Sequence, residues 1–442
     1  MSGLAKLLLA RGARVSGSDL RLGSESAALV RAGAVLYEGH RTEWLAEDAD
    51  AVIVSSAIPR ENPEVVAAER MRIPVVRRLH AMASLLDGYA SVGVVGTHGK
   101  TTTTSMAATL LRELGFDPSY LIGAHCPHLG GNAHQGRGRW FVAEVDESDG
   151  LFTAIRPTIA ILTNVGRDHL PTYHSVEAIR EAFLRYVVAA DRAVLAIDDP
   201  QVKGMVDAVP GALTVGFDAE ADLRAARVVH DRFDSSFDLI YHGERLGRFN
   251  LPAPGAHNVR NALCALGAAV VAGADVRAAA GALSTVALPH RRFELLEENG
   301  VTVVDDFAHT PEEVEATLDA IRSGWPRRRI VAIFQPHRFS RTRILGRAFG
   351  RAFAEADIAV VTSIYAACEN PVPGVSSAEI VDGIARETQA IVYSIPEKDQ
   401  VISFLHEMIR PGDFIISFGA GDIWTVTEEL AHFLEEGRFC VV

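Results

Sequence analysis

The run Val92-Gly93-Val94-Val95-Gly96-Thr97-His98-Gly99-Lys100-Thr101-Thr102-Thr103-Thr104 joins three local signals. A short apolar segment rich in valine reads as a buried strand, the glycines as a tight loop, and the breaker-free threonine stretch after Lys100 as the start of a helix. Such a loop aims backbone N–H groups and a helix N-terminus at one point, which suits phosphate oxygens. Lys100 adds positive charge, and the Thr101 hydroxyl can ligate Mg²⁺. Gly96, Thr97, His98, Gly99, Lys100, Thr101 and Thr102 are therefore the expected ATP contacts. Only Thr97 and His98 separate Gly96 from Gly99, so the loop is shorter than the common G-x-x-x-x-G-K-[ST] form. A ligand-free tight connection would also use glycine, but strand, Gly, Lys, Thr and helix in register favour nucleotide binding.

Outward from this loop the chain alternates helix and strand. Towards the N-terminus, helices are expected at 2–13 and 24–32 and strands at 13–18, 34–37 and 50–55. Beyond the loop, apolar runs at 90–95, 140–145, 158–163 and 193–197 leave room for crossover helices between them and read as buried parallel strands. Shorter alternations over 214–250, with the turn-like His242-Gly243-Glu244, predict an antiparallel edge. A further doubly wound block has strands at 301–304, 330–334, 358–362 and 414–418. The fold class is α/β in three domains: a Rossmann-like N-terminal domain (1–89), a central P-loop-type ATPase domain with a mostly parallel sheet (90–288) and a Rossmann-like C-terminal domain (289–442).

Composition narrows the function. The 442 residues are 48% hydrophobic and 22% charged, an ordinary globular balance. A net charge of -13 argues against nucleic acid as partner, because such binding depends on neutralising phosphates with Lys and Arg. No apolar run approaches the roughly 18 residues that span a membrane, so no membrane partner is expected. Cys126, Cys264, Cys368 and Cys440 have neither zinc nor C-x-x-C spacing and read as reduced thiols of a cytoplasmic protein, a monomer or homodimer.

Two polar segments come directly after predicted strands and so should reach the carboxyl edge of the loop's own sheet, where open α/β sheets bind ligands: Glu144-Val145-Asp146-Glu147-Ser148-Asp149 and Thr163-Asn164-Val165-Gly166-Arg167-Asp168-His169. An acidic run alone is usually a solvated turn. Its placement beside Lys100 and Thr101 makes a metal-phosphate site the better reading. Further along come Gly255-Ala256-His257-Asn258-Val259-Arg260-Asn261, the pair Arg291-Arg292, Asp305-Asp306-Phe307-Ala308-His309-Thr310-Pro311 and Gln335-Pro336-His337-Arg338-Phe339-Ser340-Arg341-Thr342-Arg343. Asparagine amides can donate to and accept from a purine edge, though Asn258 and Asn261 could equally serve a helix start.

The G-T-H-G-K-T-T-T-T loop resembles the ATP loop of the Mur ligases and of their relative folylpolyglutamate synthase, and matching motifs recur in family order over nearly the whole chain. The loop histidine, the Q-P-H-R-F-S-R-T-R segment and Ile364-Tyr365-Ala366-Ala367-Cys368-Glu369-Asn370-Pro371 are most similar to the alanine-adding branch. The resemblance implies Lys100, Glu144 and His169 as the catalytic set, with Thr101 and Glu144 at the Mg²⁺ shared with ATP and His169 at a second metal position. It places Thr163 and Asn164 against the sugar nucleotide, Asn258 and Asn261 at adenine, Arg292 on the phosphates at a hinge, and Asp306 at the ribose. His337, Arg338 and Arg341 would hold the amino acid or the anionic intermediate. No lysine occurs over 170–200, so the carbamylated-lysine metal ligand of other family members is not expected, and Thr310 stands where the branch has a second histidine. The implied reaction joins L-alanine to UDP-N-acetylmuramate through an acyl phosphate. A relative that adds a whole peptide, and a P-loop ATPase switch that ligates nothing, remain as alternatives; a dinucleotide-dependent dehydrogenase lacks its G-x-G-x-x-G.

Met1-Ser2-Gly3 resembles the tail of the branch's N-terminal glycine-rich loop, so the first Rossmann strand is expected to be missing, leaving a gap beside the strand at Val15 and weak UDP-sugar affinity. Ser18, Asp19, residues 55–58, Arg77 and Arg78 are the remaining candidate contacts there.

Overall fold

The computed structural model describes residues 1–435 except Ser24, His169 and Asn299. His169 and Cys440, both named among the candidate residues, thus lie outside the described residues, as does the expected helix-starting Ser24. Contacts gather the chain into two compact units: Met1–Arg227 with Asp238–Phe249 and Arg260–Ala287, and Val228–Phe237 with Asn250–Val259 and the chain from Leu288 on.

The first unit is organised by a ten-stranded sheet in the order Glu244–Leu251, Asp234–Tyr241, Leu223–Asp231, Leu213–Gly216, Arg192–Ala196, Ile159–Leu162, Ala90–Val95, Trp140–Glu144, Ser119–Leu121, Ala133–His134. Ala90–Val95 pairs in parallel with Trp140–Glu144 on one side (Val94 opposite Glu144) and with Ile159–Leu162 on the other (Val95 opposite Leu162). Val92, Val94 and Val95 are buried, as a central parallel strand covered on both faces requires. The three strands named first are linked by two-residue turns, which only antiparallel neighbours permit. One turn places His242 at φ 46° and Gly243 at φ 84°, the left-handed pair a tight hairpin favours, and this is the antiparallel edge expected over 214–250.

Helix Lys100–Glu113 is buried along most of its length despite its threonines. Thr104 and Thr109 solve this by donating their hydroxyls to the carbonyls four residues back, Lys100 and Ser105 (both 2.8 Å). Around the sheet, Leu79, Met82, Phe141, Phe152, Phe183, Tyr186 and Leu195 form one apolar core. The N-terminal strands form two separate parallel pairs, Ser16–Asp19 with Val35–Glu38 and Val52–Val54 with Val75–Arg77, rather than one sheet. The first helix stops at Ala10, short of the expected residue 13, because Arg11 caps it and Gly12 turns at φ 83°.

In the second unit a six-stranded sheet runs Glu294–Glu298, Thr302–Asp306, Phe414–Phe418, Ile330–Phe334, Ile358–Val361, Ile391–Ser394, parallel except for the first. One face packs on Phe334, Phe349, Phe353 and Trp325, the other on Val401, Leu405, Ile423 and Leu430. Glu294–Glu298 and Ile391–Ser394 were not anticipated, since edge strands this acidic or short give no apolar run to read.

Helix Pro311–Gly324 starts on a full capping box: the Thr310 hydroxyl accepts from Glu313 N, and the Glu313 carboxylate accepts from Thr310 N. Thr310 thus has local work at the helix start. Thr310→Ala is expected to lower unfolding free energy by about 1 kcal/mol in urea titration, with Thr310→Ser close to wild type.

Candidate nucleotide site

The loop between Val95 and Lys100 is held from behind by the Thr163-Asn164 turn. The Asn164 amide clamps the His98 backbone, accepting from His98 N and donating to His98 O (both 2.9 Å), and the Thr163 hydroxyl donates to the same carbonyl at 2.7 Å. Thr97 reciprocates: its hydroxyl accepts from Gly166 N at 2.7 Å. In this structure Thr163 and Asn164 are struts of the phosphate loop. Two glycines are needed for that fit. Gly96 (φ 134°) lies where a Cβ would overlap the Thr163 hydroxyl, and Gly99 (φ 80°) where one would overlap the Asn261 amide. Asn261, on helix Ala256–Val271, is thereby placed against the loop, whereas Asn258 donates to Pro254 O at 2.8 Å at its own helix start.

At the front of the loop, Thr101 Oγ1 lies 3.0 Å from Glu144 Oε1, and Glu144 Oε2 accepts from Gly123 N at 2.7 Å. A side chain at Gly123 would run into this carboxylate. A hydroxyl and a carboxylate, beside a loop of amides, form an oxygen donor set that fits Mg²⁺ completed by phosphate and water. Among the described residues no three His, Cys, Asp or Glu side chains converge on one point.

Lys100 turns back over the loop. Its ammonium donates to Gly96 O (2.6 Å), Thr97 O (3.1 Å) and Glu147 Oε1 (2.9 Å). Burial pulls its pKa down, but Glu147, Asp146 and Glu144 together outweigh that, and the ammonium is held more firmly than usual. Glu147 is buried, and its backbone carbonyl accepts from the Tyr173 hydroxyl at 2.7 Å. The sequence offered Glu147 only as one of four acidic or hydroxyl residues in a row, Asp146 to Asp149. Ser148 and Asp149 serve their own turn, with Asp146 and Asp149 accepting from backbone N–H two residues on.

In the second unit the adjacent Arg291 and Arg292 differ in their polar contacts. Arg291 is structural: it donates to Asp305 Oδ2 (2.7 Å), Gly421 O and Gly419 O. Both guanidiniums lie over the Phe307 ring, Arg292 at 4.6 Å from its centroid and Arg291 at 5.3 Å. Asp306 accepts from Phe293 N (2.7 Å) and Ala308 N (2.8 Å), and burial raises its carboxyl to about 6 against the opposing pull of Arg292 and these two amides.

His337, Arg338 and Arg341 come together at the end of strand Ile330–Phe334. The His337 ring stacks on Tyr365 and its Nδ1 accepts from Arg341 at 3.1 Å. Arg338 caps helix Phe339–Leu345 at φ 70°, a left-handed conformation costing a non-glycine residue on the order of 1 kcal/mol. Tyr365 sustains it through a two-way backbone bridge, Arg338 N to Tyr365 O and Tyr365 N to Pro336 O (both 2.8 Å). Glu369 binds the start of that helix through Ser340 N; burial raises its pKa, and Ser340 with nearby Arg338 more than reverses this.

Fold and loop together define a nucleotide-binding α/β protein whose carboxyl sheet edge is equipped for phosphate and a divalent cation. Three family models match it in succession: "Mur ligase family, catalytic domain" over residues 1–90, "Mur ligase middle domain" over 94–269 and "Mur ligase, glutamate ligase domain" over 291–421. UDP-N-acetylmuramate–L-alanine ligase of Pelobacter propionicus is 42% identical over 442 residues, covering 99% of this chain and 96% of the relative. Its counterpart in Salinibacter ruber is 40% identical, covering 98% and 93%. Among solved structures, UDP-N-acetylmuramate-alanine ligase of Thermotoga maritima superposes with a TM-score of 0.86 at 28% identity, covering 99% of this chain and 97% of that one. The murein peptide ligase of Psychrobacter arcticus shares the fold, with a TM-score of 0.70 at 24% identity. The chain belongs to the Mur ligase family, in its UDP-N-acetylmuramate–L-alanine ligase group, and has that family's three-domain α/β fold.

Gly96→Ala is expected to abolish ATP binding in calorimetry while leaving the cooperative unfolding transition in place, since the added methyl displaces Thr163 from the loop without touching the apolar core.

Proposed function

We infer that the chain catalyses ATP + UDP-N-acetylmuramate + L-alanine → ADP + phosphate + UDP-N-acetylmuramoyl-L-alanine, a step of peptidoglycan precursor synthesis. The observation that carries the reading is the phosphate loop with Lys100 and the Thr101–Glu144 pair at one sheet edge, in a chain similar along its whole length to alanine-adding ligases. The γ-phosphate passes to the lactyl carboxylate, and the alanine amine then displaces phosphate from the acyl phosphate. Lys100 and the loop amides stabilise the negative charge gathered by the two anionic reactants. Thr101 and Glu144 would hold Mg²⁺, which supplies charge neutralisation when bound. Asn261 and Asn258 are assigned to the adenine, Asp306 to the ribose and Arg292 to the phosphates.

Arg338 and Arg341 are proposed to take the alanine carboxylate. Guanidinium groups suit it, and the strained cap at Arg338 is the kind of local cost that persists at a binding site. We place the reaction in the cytoplasm: ATP is the energy source, the described cysteines are free, and no described helix is long and apolar enough to cross a membrane. Residues 1–89, 90–288 and 289–442 are assigned to the UDP-sugar, ATP and amino-acid parts of the work.

Phosphate release is expected only when UDP-N-acetylmuramate and L-alanine are both present; release with ATP alone would favour the ATPase switch. Arg338→Ala should raise KM for L-alanine by about ten- to a hundredfold with a smaller change in KM for ATP, read from initial rates.

A further inference from the structure

Lysine has three N–H donors, and all three of Lys100 are taken: Gly96 O, Thr97 O and Glu147 Oε1. A phosphate oxygen can reach this ammonium only if one acceptor leaves. The two carbonyls belong to the loop, and the loop is pinned by Thr163, Asn164 and Gly166. The Glu147 backbone is pinned as well, its carbonyl accepting from the Tyr173 hydroxyl and from Gly150 N. Of the three acceptors only the Glu147 carboxylate is carried on a side chain, and it has the same sign of charge as an arriving phosphate.

We propose that Glu147 is a positioning residue for the loop lysine, an internal anion that holds Lys100 on the loop and is exchanged for nucleotide phosphate on binding. The proposal rests on the reading of this loop as an ATP site. Its physical logic is charge matching. A buried ammonium without a counter-charge is costly, so an internal carboxylate keeps Lys100 ionised and in place until phosphate relieves it. The exchange also selects its ligand: a molecule with no negative charge at that point cannot displace Glu147, however well its base fits.

Glu147→Gln keeps the size and one acceptor but removes the competing charge. Calorimetric titration of ATP, with adenosine measured by competition, separates the roles. ATP is expected to bind about tenfold more tightly to the variant than to wild type, the order for one buried counter-charge that no longer has to be displaced, with adenosine unchanged. Unchanged or weakened ATP binding with adenosine unaffected would overturn the proposal. A parallel loss for both ligands would also overturn it, assigning Glu147 a purely structural role. Failure of the wild-type protein to bind ATP would instead remove the reading of the loop, and the exchange with it. Should the Gln variant not fold by circular dichroism, Glu147→Asp, which withdraws the carboxylate by one methylene, is expected to shift ATP binding in the same direction by a smaller factor, and no shift would overturn the proposal.

Discussion

The parallel pairing of Ala90–Val95 with a strand on each side ends three strands at one edge, and the phosphate loop, its carboxylates and its clamp come from the three segments that leave them there. From Ala90–Val95 comes the phosphate loop, from Trp140–Glu144 the carboxylates, and from Ile159–Leu162 the Thr163-Asn164 turn that clamps the loop. Register decides the geometry. With Val94 opposite Glu144, the metal-fitting carboxylate sits level with the base of the loop and within hydrogen-bond reach of Thr101. A slip of one residue would turn Glu144 to the other face of the sheet.

Buried charge is handled consistently here. Lys100, Arg291 and Arg329 are all set against carboxylates that are themselves largely enclosed, Glu147, Asp305 and Asp413. Pairs of this kind add little net stability, because desolvation offsets the attraction, but removal of one partner is costly. They therefore act as locators. Arg291 ties strand Thr302–Asp306 to the loop after Phe414–Phe418, Arg329 ties the chain before Ile330 to Asp413, and Lys100 is fixed on its loop.

The nucleotide loop was legible because its chemistry is local: glycines for close approach, one lysine and one threonine in fixed spacing, on a strand that announces itself by valines. The carboxyl-edge placement of Glu144 and Asn164 was legible for a similar reason, since each lies at the end of an apolar run. Less could be read of what each side chain does once there. Thr163 and Asn164 look the same in sequence whether they face a ligand or brace a loop, and the contacts with His98 are made across more than sixty residues of chain. Arg291 and Arg292 are adjacent and chemically identical, and both lie over the Phe307 ring, yet it is Arg291 that binds Asp305 and two carbonyls.

Sequence by itself thus determined the α/β alternation, the phosphate loop and the alanine-ligase resemblance, because each depends on periodicity or on residues a few positions apart. Only the tertiary structure decided that Glu147 rather than its acidic neighbours meets Lys100, that Arg291 rather than Arg292 binds Asp305 and two carbonyls, and that Thr310 caps a helix. The physical reason is that a charge or hydroxyl acquires its role from whichever partner the fold brings within about 3 Å, a distance local sequence does not specify.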